Sequence, residues 1–183
     1  PPAFEDASGG GASDLDGLSD AVSGITNFTR SLILGHQTTG TLNGATDNTA
    51  VGYGAMDAIT SGTQNTAVGV DALGGNTGAG NAAALGYFAL KANTTGERNT
   101  ALGGHTLTIN TTGGENTAVG YGALYANTTA SNNTAVGKEA LAANTTAANN
   151  TGVGYRAAYE NTTGAGNTAI GTQALDANAT GAN

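Results

Sequence analysis

From Asn48 onward the chain repeats one order of apolar and polar positions every 17 residues. Gly35, Gly52, Gly69, Gly86, Gly103, Gly120, Gly137, Gly154 and Gly171 keep that spacing without a slip. The unit is approximately Asn-Thr-Ala-Val-Gly-Tyr-Gly-Ala-Leu-x-Ala-Asn-Thr-Thr-Gly-x-x, and eight copies run to Asn183. Numbering columns from the leading Asn, column four is always a branched aliphatic, from Val51 and Val68 to Val153 and Ile170. Column nine is Met56, Leu73, Leu90, Leu107, Leu124, Leu141, Ala158 and Leu175, and columns three and eight are almost always Ala. Columns six, seven, ten, sixteen and seventeen vary and hold nearly all the charge. The variable columns are expected to face water and both fixed aliphatic columns a core. A unit this short has no room for a helix pair with its turns. It predicts one coil of an all-β parallel β-solenoid, each column stacked about 4.8 Å above the last, and a rod of roughly 40 Å.

The other columns fit such a stack. Asn recurs at columns one and twelve, the latter as Asn93, Asn110, Asn127, Asn144, Asn161 and Asn178. Stacked carboxamides can form ladders, each satisfying its neighbour's donors and acceptors. The column-five glycines mark a tight corner or close backbone approach, where a Cβ would collide. Asn-Thr-Thr-Gly is turn chemistry. Within Asn-Thr-Ala-Val-Gly the side chains alternate between faces, with Ala on one and Val on the other, and both faces are nearly invariant. The strand is therefore expected to be covered twice, once by its own coil and once from outside. One Val and one Leu per coil also make a poor private core. Identical chains closing around an axis, as a homotrimer, answer both needs.

The register divides the chain into an acidic linker or anchor at 1–30, a degenerate capping coil at 31–47, and the repeats at 48–183. The capping coil lacks Asn at both ladder columns, as terminal repeats often depart from the consensus. Residues 1–13 read as linker. Leu15, Leu18, Val22 and Ile25 then fall at helical spacing, although Gly17 and Gly24 each weaken a helix by about 1 kcal/mol. Two readings stay open: a short plug or trimerising segment, or an extended segment laid over the first coil.

Composition narrows the function. Charged residues make up 10% of the chain, Gly numbers 31, and Cys and Trp are absent. So much Ala, Gly, Asn and Thr cannot fill a thick core, and the regular aliphatic columns argue against disorder. Five of the acids precede Arg30, and from residue 48 onward seven acids face four bases. Nothing in the body has the clustered Lys and Arg that a nucleic acid requires, and no apolar run is long enough to span a membrane. The Pro-Pro start reads as a processed or truncated product and leaves targeting unreadable.

Candidate chemistry is sparse. His36 and His105 lie in neighbouring variable columns four coils apart, so they cannot share a metal and are expected to be solvated. Acids occur singly in shifting columns, which gives no paired carboxylates for acid–base work. No Gly-Gly-x-Gly-x-Asp calcium repeat and no phosphate-cradling loop is present. No catalytic, metal or cofactor site is expected. Sequons at Asn27, Asn93, Asn110, Asn127, Asn132, Asn144, Asn149, Asn161 and Asn178 are read as by-products of the repeat rather than glycosylation sites. Tyr53, Tyr87, Tyr121 and Tyr155 recur every second coil in column six. They are read first as packing residues and second as a stripe for stacking on sugar rings.

The units Asn116-Thr-Ala-Val-Gly-Tyr-Gly-Ala-Leu124 and Asn133-Thr-Ala-Val-Gly-Lys-Glu-Ala-Leu141 resemble the head repeats of trimeric autotransporter adhesins. That family's unit is shorter, and the extra residues here fall in the Asn-Thr-Thr-Gly turn. The 17-residue form, with the entry segments Leu15 to Asp20 and Leu32 to Gly35, is similar to repeats of tail-fibre proteins of marine bacteriophages. The resemblance covers residues 31–183 well and 14–30 loosely. It implies a left-handed β-roll in a trimer, located on a virion or cell surface, with fibre or virion proteins as partners through the N-terminal segment and a cell-surface glycan as a candidate receptor. The leading expectation is a non-catalytic structural fibre or adhesin. The alternative is an ice-binding solenoid using Thr arrays such as Thr49, Thr66, Thr100, Thr117, Thr134, Thr151 and Thr168, although each strand offers one Thr where two are usual.

Overall fold

A computed structural model of the chain describes residues 21–23, 31–34 and 43–182. It is a parallel β-solenoid with a 17-residue coil, and the described residues contain no helix. After β1 (Ala21–Ser23) and β2 (Leu32–Leu34), one strand of three residues opens each coil: β3 (Thr49–Val51), β4 (Thr66–Val68), β5 (Ala83–Leu85), β6 (Thr100–Leu102), β7 (Thr117–Val119), β8 (Thr134–Val136), β9 (Thr151–Val153) and β10 (Thr168–Ile170). From β2 to β10 the strands pair in parallel, each with the next in the chain, so β6 sets Thr100, Ala101 and Leu102 beside Thr117, Ala118 and Val119 of β7. Columns in the sequence are thus columns in space.

Strand pairing supplies only part of the stack. Backbone bonds between coils continue through the turns, for example from the Met56 N–H to the Ala72 carbonyl (3.0 Å) and from the Thr111 N–H to the Thr128 carbonyl (2.8 Å). Thr60, Thr77, Thr94, Thr111, Thr128 and Thr145 of column thirteen each donate a hydroxyl to the column-thirteen carbonyl one coil on. Every coil is therefore held to the next around its circumference, which satisfies backbone groups that a thin rod could not otherwise hide.

The interior is narrower than expected, and this reverses one assignment. Ala of column three points inward and is fully buried, as at Ala50, Ala67, Ala101 and Ala118. The aliphatic column four points outward: Val51, Val68 and Leu85 are each 40% exposed and Leu102 is 46% exposed. The coil's own core consists of column three, column eight and the column-nine Leu row. The branched aliphatics have no place in it, because coil walls that close on Ala leave no room for Val.

Column nine shows how tightly the coil bends. Met56, Leu73, Leu90, Leu107, Leu124 and Leu141 are completely buried, with φ between +47° and +54°. Left-handed backbone disfavours such a residue by roughly 1–2 kcal/mol, whereas burying its side chain contributes about 1.5–3 kcal/mol, so burial wins. At column five φ runs from +118° to +138°, and a Cβ on Gly52 would lie 2.6 Å from the Gly69 carbonyl oxygen. The expected close approach of stacked corners is present at each glycine from Gly52 to Gly154; at Gly171 the nearest atom would be the Ala174 Cβ at 3.9 Å.

At the start of the solenoid, β1 runs antiparallel to β2 and pairs with the strand edge that β3 does not use. Val22, one residue of the helical pattern, therefore lies in a strand. Leu15, Leu18 and Ile25 lie outside the described residues, as do residues 1–13, Gly35 and His36. Ser31 stands at ladder column one, where its Oγ accepts the Asn48 backbone N–H at 2.9 Å in place of an Asn carboxamide.

Candidate functional site

The walls of the rod carry two different outward surfaces. On the strand wall, column two and column four form parallel rows about 4.8 Å per step, one of Thr interrupted by Ala83 and one of Val, Leu or Ile. Thr49, Thr66, Thr100 and Thr168 are exposed, and the aliphatic row ends at Ile170, which is 70% exposed. Single exposed aliphatics are ordinary, but a continuous file of them marks an interaction surface. The adjacent hydroxyls keep the wall wettable.

The turn wall, built from columns six, seven, ten and eleven, changes from coil to coil. The Tyr87 and Phe88 rings stack with centroids 3.9 Å apart and planes at 17°. The His105 ring meets Tyr87 edge-on at 5.2 Å and both Phe88 and Tyr121 at 5.5 Å, with Tyr125 at 6.3 Å. His105 is half-buried among rings rather than solvated, because column seven places it between aromatics of the coils on either side. Beyond it opens a cleft of about 380 Å³, with Tyr121, Tyr125 and Tyr159 on its sides and Ala142 and Ala143 at its floor. Glu139 also lines the cleft, its Oε1 3.6 Å from Lys138 Nζ and its Oε2 3.7 Å from Arg156 Nε. The Arg156 guanidinium lies 3.8 Å from the Tyr159 ring centroid.

No protein-family model, curated protein or solved structure matches this chain.

Of the tyrosines singled out in the sequence, Tyr87 and Tyr121 join the ring cluster through His105, and Tyr121 also lines the cleft. Tyr155 sits 5.8 Å below Lys138 Nζ, and Tyr53 is the most exposed of the four at 58%. The column-six stripe is thus less a unit than a contributor. Phe88, Tyr125 and Tyr159 were missed because they lie in columns seven and ten; the usable signal was that aromatics accumulate in adjacent variable columns between residues 87 and 159.

The Asn ladders are real and interior. Asn110, Asn127, Asn144 and Asn161 each donate Nδ2 to Oδ1 of the preceding column-twelve Asn at 2.7–3.2 Å. Column one makes the same ladder and adds a second bond: Asn48, Asn99 and Asn116 accept Nδ2 of the next column-one Asn at 3.0–3.2 Å, and these three and Asn133 also use Oδ1 to accept its backbone N–H. Both columns converge on a backbone acceptor not anticipated from sequence, the carbonyl of column fifteen. The Ala130 oxygen accepts from Asn116 at 2.8 Å and from Asn127 at 3.0 Å. These bonds bury Asn93, Asn110, Asn127, Asn144 and Asn161 completely, so those sequons are closed to modification in the folded rod. Asn178 is half-buried with Nδ2 on the Gly181 carbonyl. Asn132 and Asn149, in column seventeen, are exposed, and Asn27 lies outside the described residues. Among the described residues no group of three or more His, Asp or Glu is placed to hold a metal ion.

Proposed function

We propose that this chain is a rigid structural module of a fibre or adhesin, on a virion or at a cell surface, in which identical chains pack strand wall against strand wall, three around an axis. The observation that carries the reading is the outward aliphatic file of column four. It repeats in every coil and contributes nothing to the coil's own core, so its regularity answers to something outside the coil. A closed ring of copies covers the file on every chain at once. The work of such a module is geometric: stacked coils hold a binding surface at a fixed distance from its base and leave few openings for proteases. The similarity to adhesin-head and tail-fibre repeats fits a left-handed trimer without catalysis, with residues 1–30 joining the module to other fibre or virion proteins. Native mass spectrometry tests this directly. The expected particle has three times the 17.6 kDa chain mass, and a monomer at micromolar concentration contradicts the proposal.

The same wall favours one second reading. Rows of Thr and aliphatic side chains in strict register on a parallel sheet are a regular template for ordered water, which would make the rod an ice-binding solenoid. That reading requires the wall to be open, whereas the fibre reading requires it to be covered. Thermal hysteresis from a monomer selects the ice-binding reading; its absence in a trimer selects the fibre.

A further inference from the structure

We infer that the cleft on the turn wall, between Tyr125 and Tyr159, is a binding site for the rings of a neutral saccharide. Tyr125 and Tyr159 occupy the same column two coils apart, about 10 Å along the rod. The coil between them carries Ala142 at that column, with Ala143 beside it, so two aromatic side chains stand over a low floor. A ring in contact with both walls needs them about 7–8 Å apart, so rows about 10 Å apart leave room for it with a small tilt of the tyrosines. Tyr121, packed edge-on against His105 at 5.5 Å, closes one end. A cleft of about 380 Å³ falls within the range of small-ligand sites.

Charge decides between ligand classes. An aromatic recess with a carboxylate could hold a cation, but Glu139 already lies within 3.7 Å of both Lys138 and Arg156, so a cationic ligand would meet two positive neighbours. An anion would meet Glu139 itself. A neutral ligand with apolar ring faces and hydroxyl edges meets neither conflict. Its C–H faces pack on the tyrosines, and its hydroxyls find an acceptor in Glu139 and both donors and acceptors in the phenols. Arg156 Nε is buried behind the cleft and faces Glu139 Oε2 at 3.7 Å, which holds that carboxylate in place at the cleft edge. No strand-wall residue lines the cleft, so the inference stands apart from the assembly proposed above.

The chain has six Tyr and no Trp, so tyrosine fluorescence reports on the cleft without a dominant background. The experiment titrates the full chain with maltopentaose, cellopentaose and chitopentaose, following fluorescence and heat. Saturable binding of at least one is expected. Tyr125→Ala and Tyr159→Ala should each weaken it tenfold or more, Glu139→Gln and Tyr125→Phe should weaken it several-fold, and Tyr53→Ala should leave it within twofold. Circular dichroism of each variant separates lost binding from lost folding. No saturation with any of the three sugars overturns the inference, as does binding that survives both alanine variants. Tighter binding of tetramethylammonium than of every sugar also overturns it and makes the cleft a cation site.

Discussion

The strand wall and the turn wall are built by the same coils yet obey opposite rules. Along the strand wall the repeats present Thr (Ala83 in one of them) and a branched aliphatic at the same two positions, even though neither side chain enters the core. Along the turn wall the same coils present Tyr, Lys, Glu, Arg, Gly or Thr in no fixed order. Side chains that only meet water have no reason to repeat. The contrast teaches that exposure in a single chain can hide two kinds of surface, one held constant from outside and one free to specialise locally. The aromatic cleft is what such freedom produces: it exists in a few coils because Ala142 is small where Tyr125 and Tyr159 are large.

The contrast can be broken in order of expected effect. The largest should come from the corner that separates the walls. In Gly120→Ala the new Cβ would lie 2.7 Å from the Gly137 carbonyl oxygen at a φ of +118°, and a loss of more than about 4 kcal/mol is expected. Gly171→Ala shares the unfavourable φ but meets no stacked corner, so roughly 1–2 kcal/mol should be lost. Denaturant midpoints of the two variants measure the difference. Next, Asn127→Ala removes a buried carboxamide that donates to Asn110 and Ala130 and accepts from Asn144, for about 3 kcal/mol. Asn132→Ala, on the exposed column, should fall within about 0.5 kcal/mol of the parent in the same assay. A third variant, Leu102→Asp, should leave the circular dichroism of the coil intact while reducing the native mass to one chain, since a carboxylate cannot be buried unpaired between copies. Smallest of all, Tyr121→Ala should leave the native mass unchanged and lower stability by about 1 kcal/mol or less, through the lost edge-on contact with His105.

Much of this fold is legible in the sequence because every coil solves the same problem, so each structural demand is written eight times over. The period, the column-five corner and the Asn columns could be read directly: Gly52 to Gly154 allow no Cβ, and Asn110 to Asn161 need one another. The direction of column four could not. Val51 and Ala50 are equally regular, and size suggests placing the larger one inside; only the width of the coil, closed down to Ala and Leu, forces Val51 outward. The left-handed backbone at column seven was also hidden. Phe88, His105 and Arg156 have φ of +52° to +60° although none favours that region, because the bonds to the coils around them impose it. The column-fifteen hub is a backbone carbonyl, and its only trace in the sequence is a preference for Gly or Ala at residues such as Gly113 and Ala130. The cleft was least legible of all, since variable columns carry no repeated signal.

Because the chain has no cysteine, thiol labelling can compare the two walls residue by residue. Leu102→Cys and Tyr121→Cys place a single thiol on the strand wall and the turn wall, at side chains 46% and 56% exposed in the single chain. A small maleimide should modify the turn-wall thiol at the rate of a free cysteine and the strand-wall thiol at least tenfold more slowly, with protection lost on dilution to the monomer. Equal rates at both positions, in a chain that remains folded, would contradict the claim that the strand wall is covered.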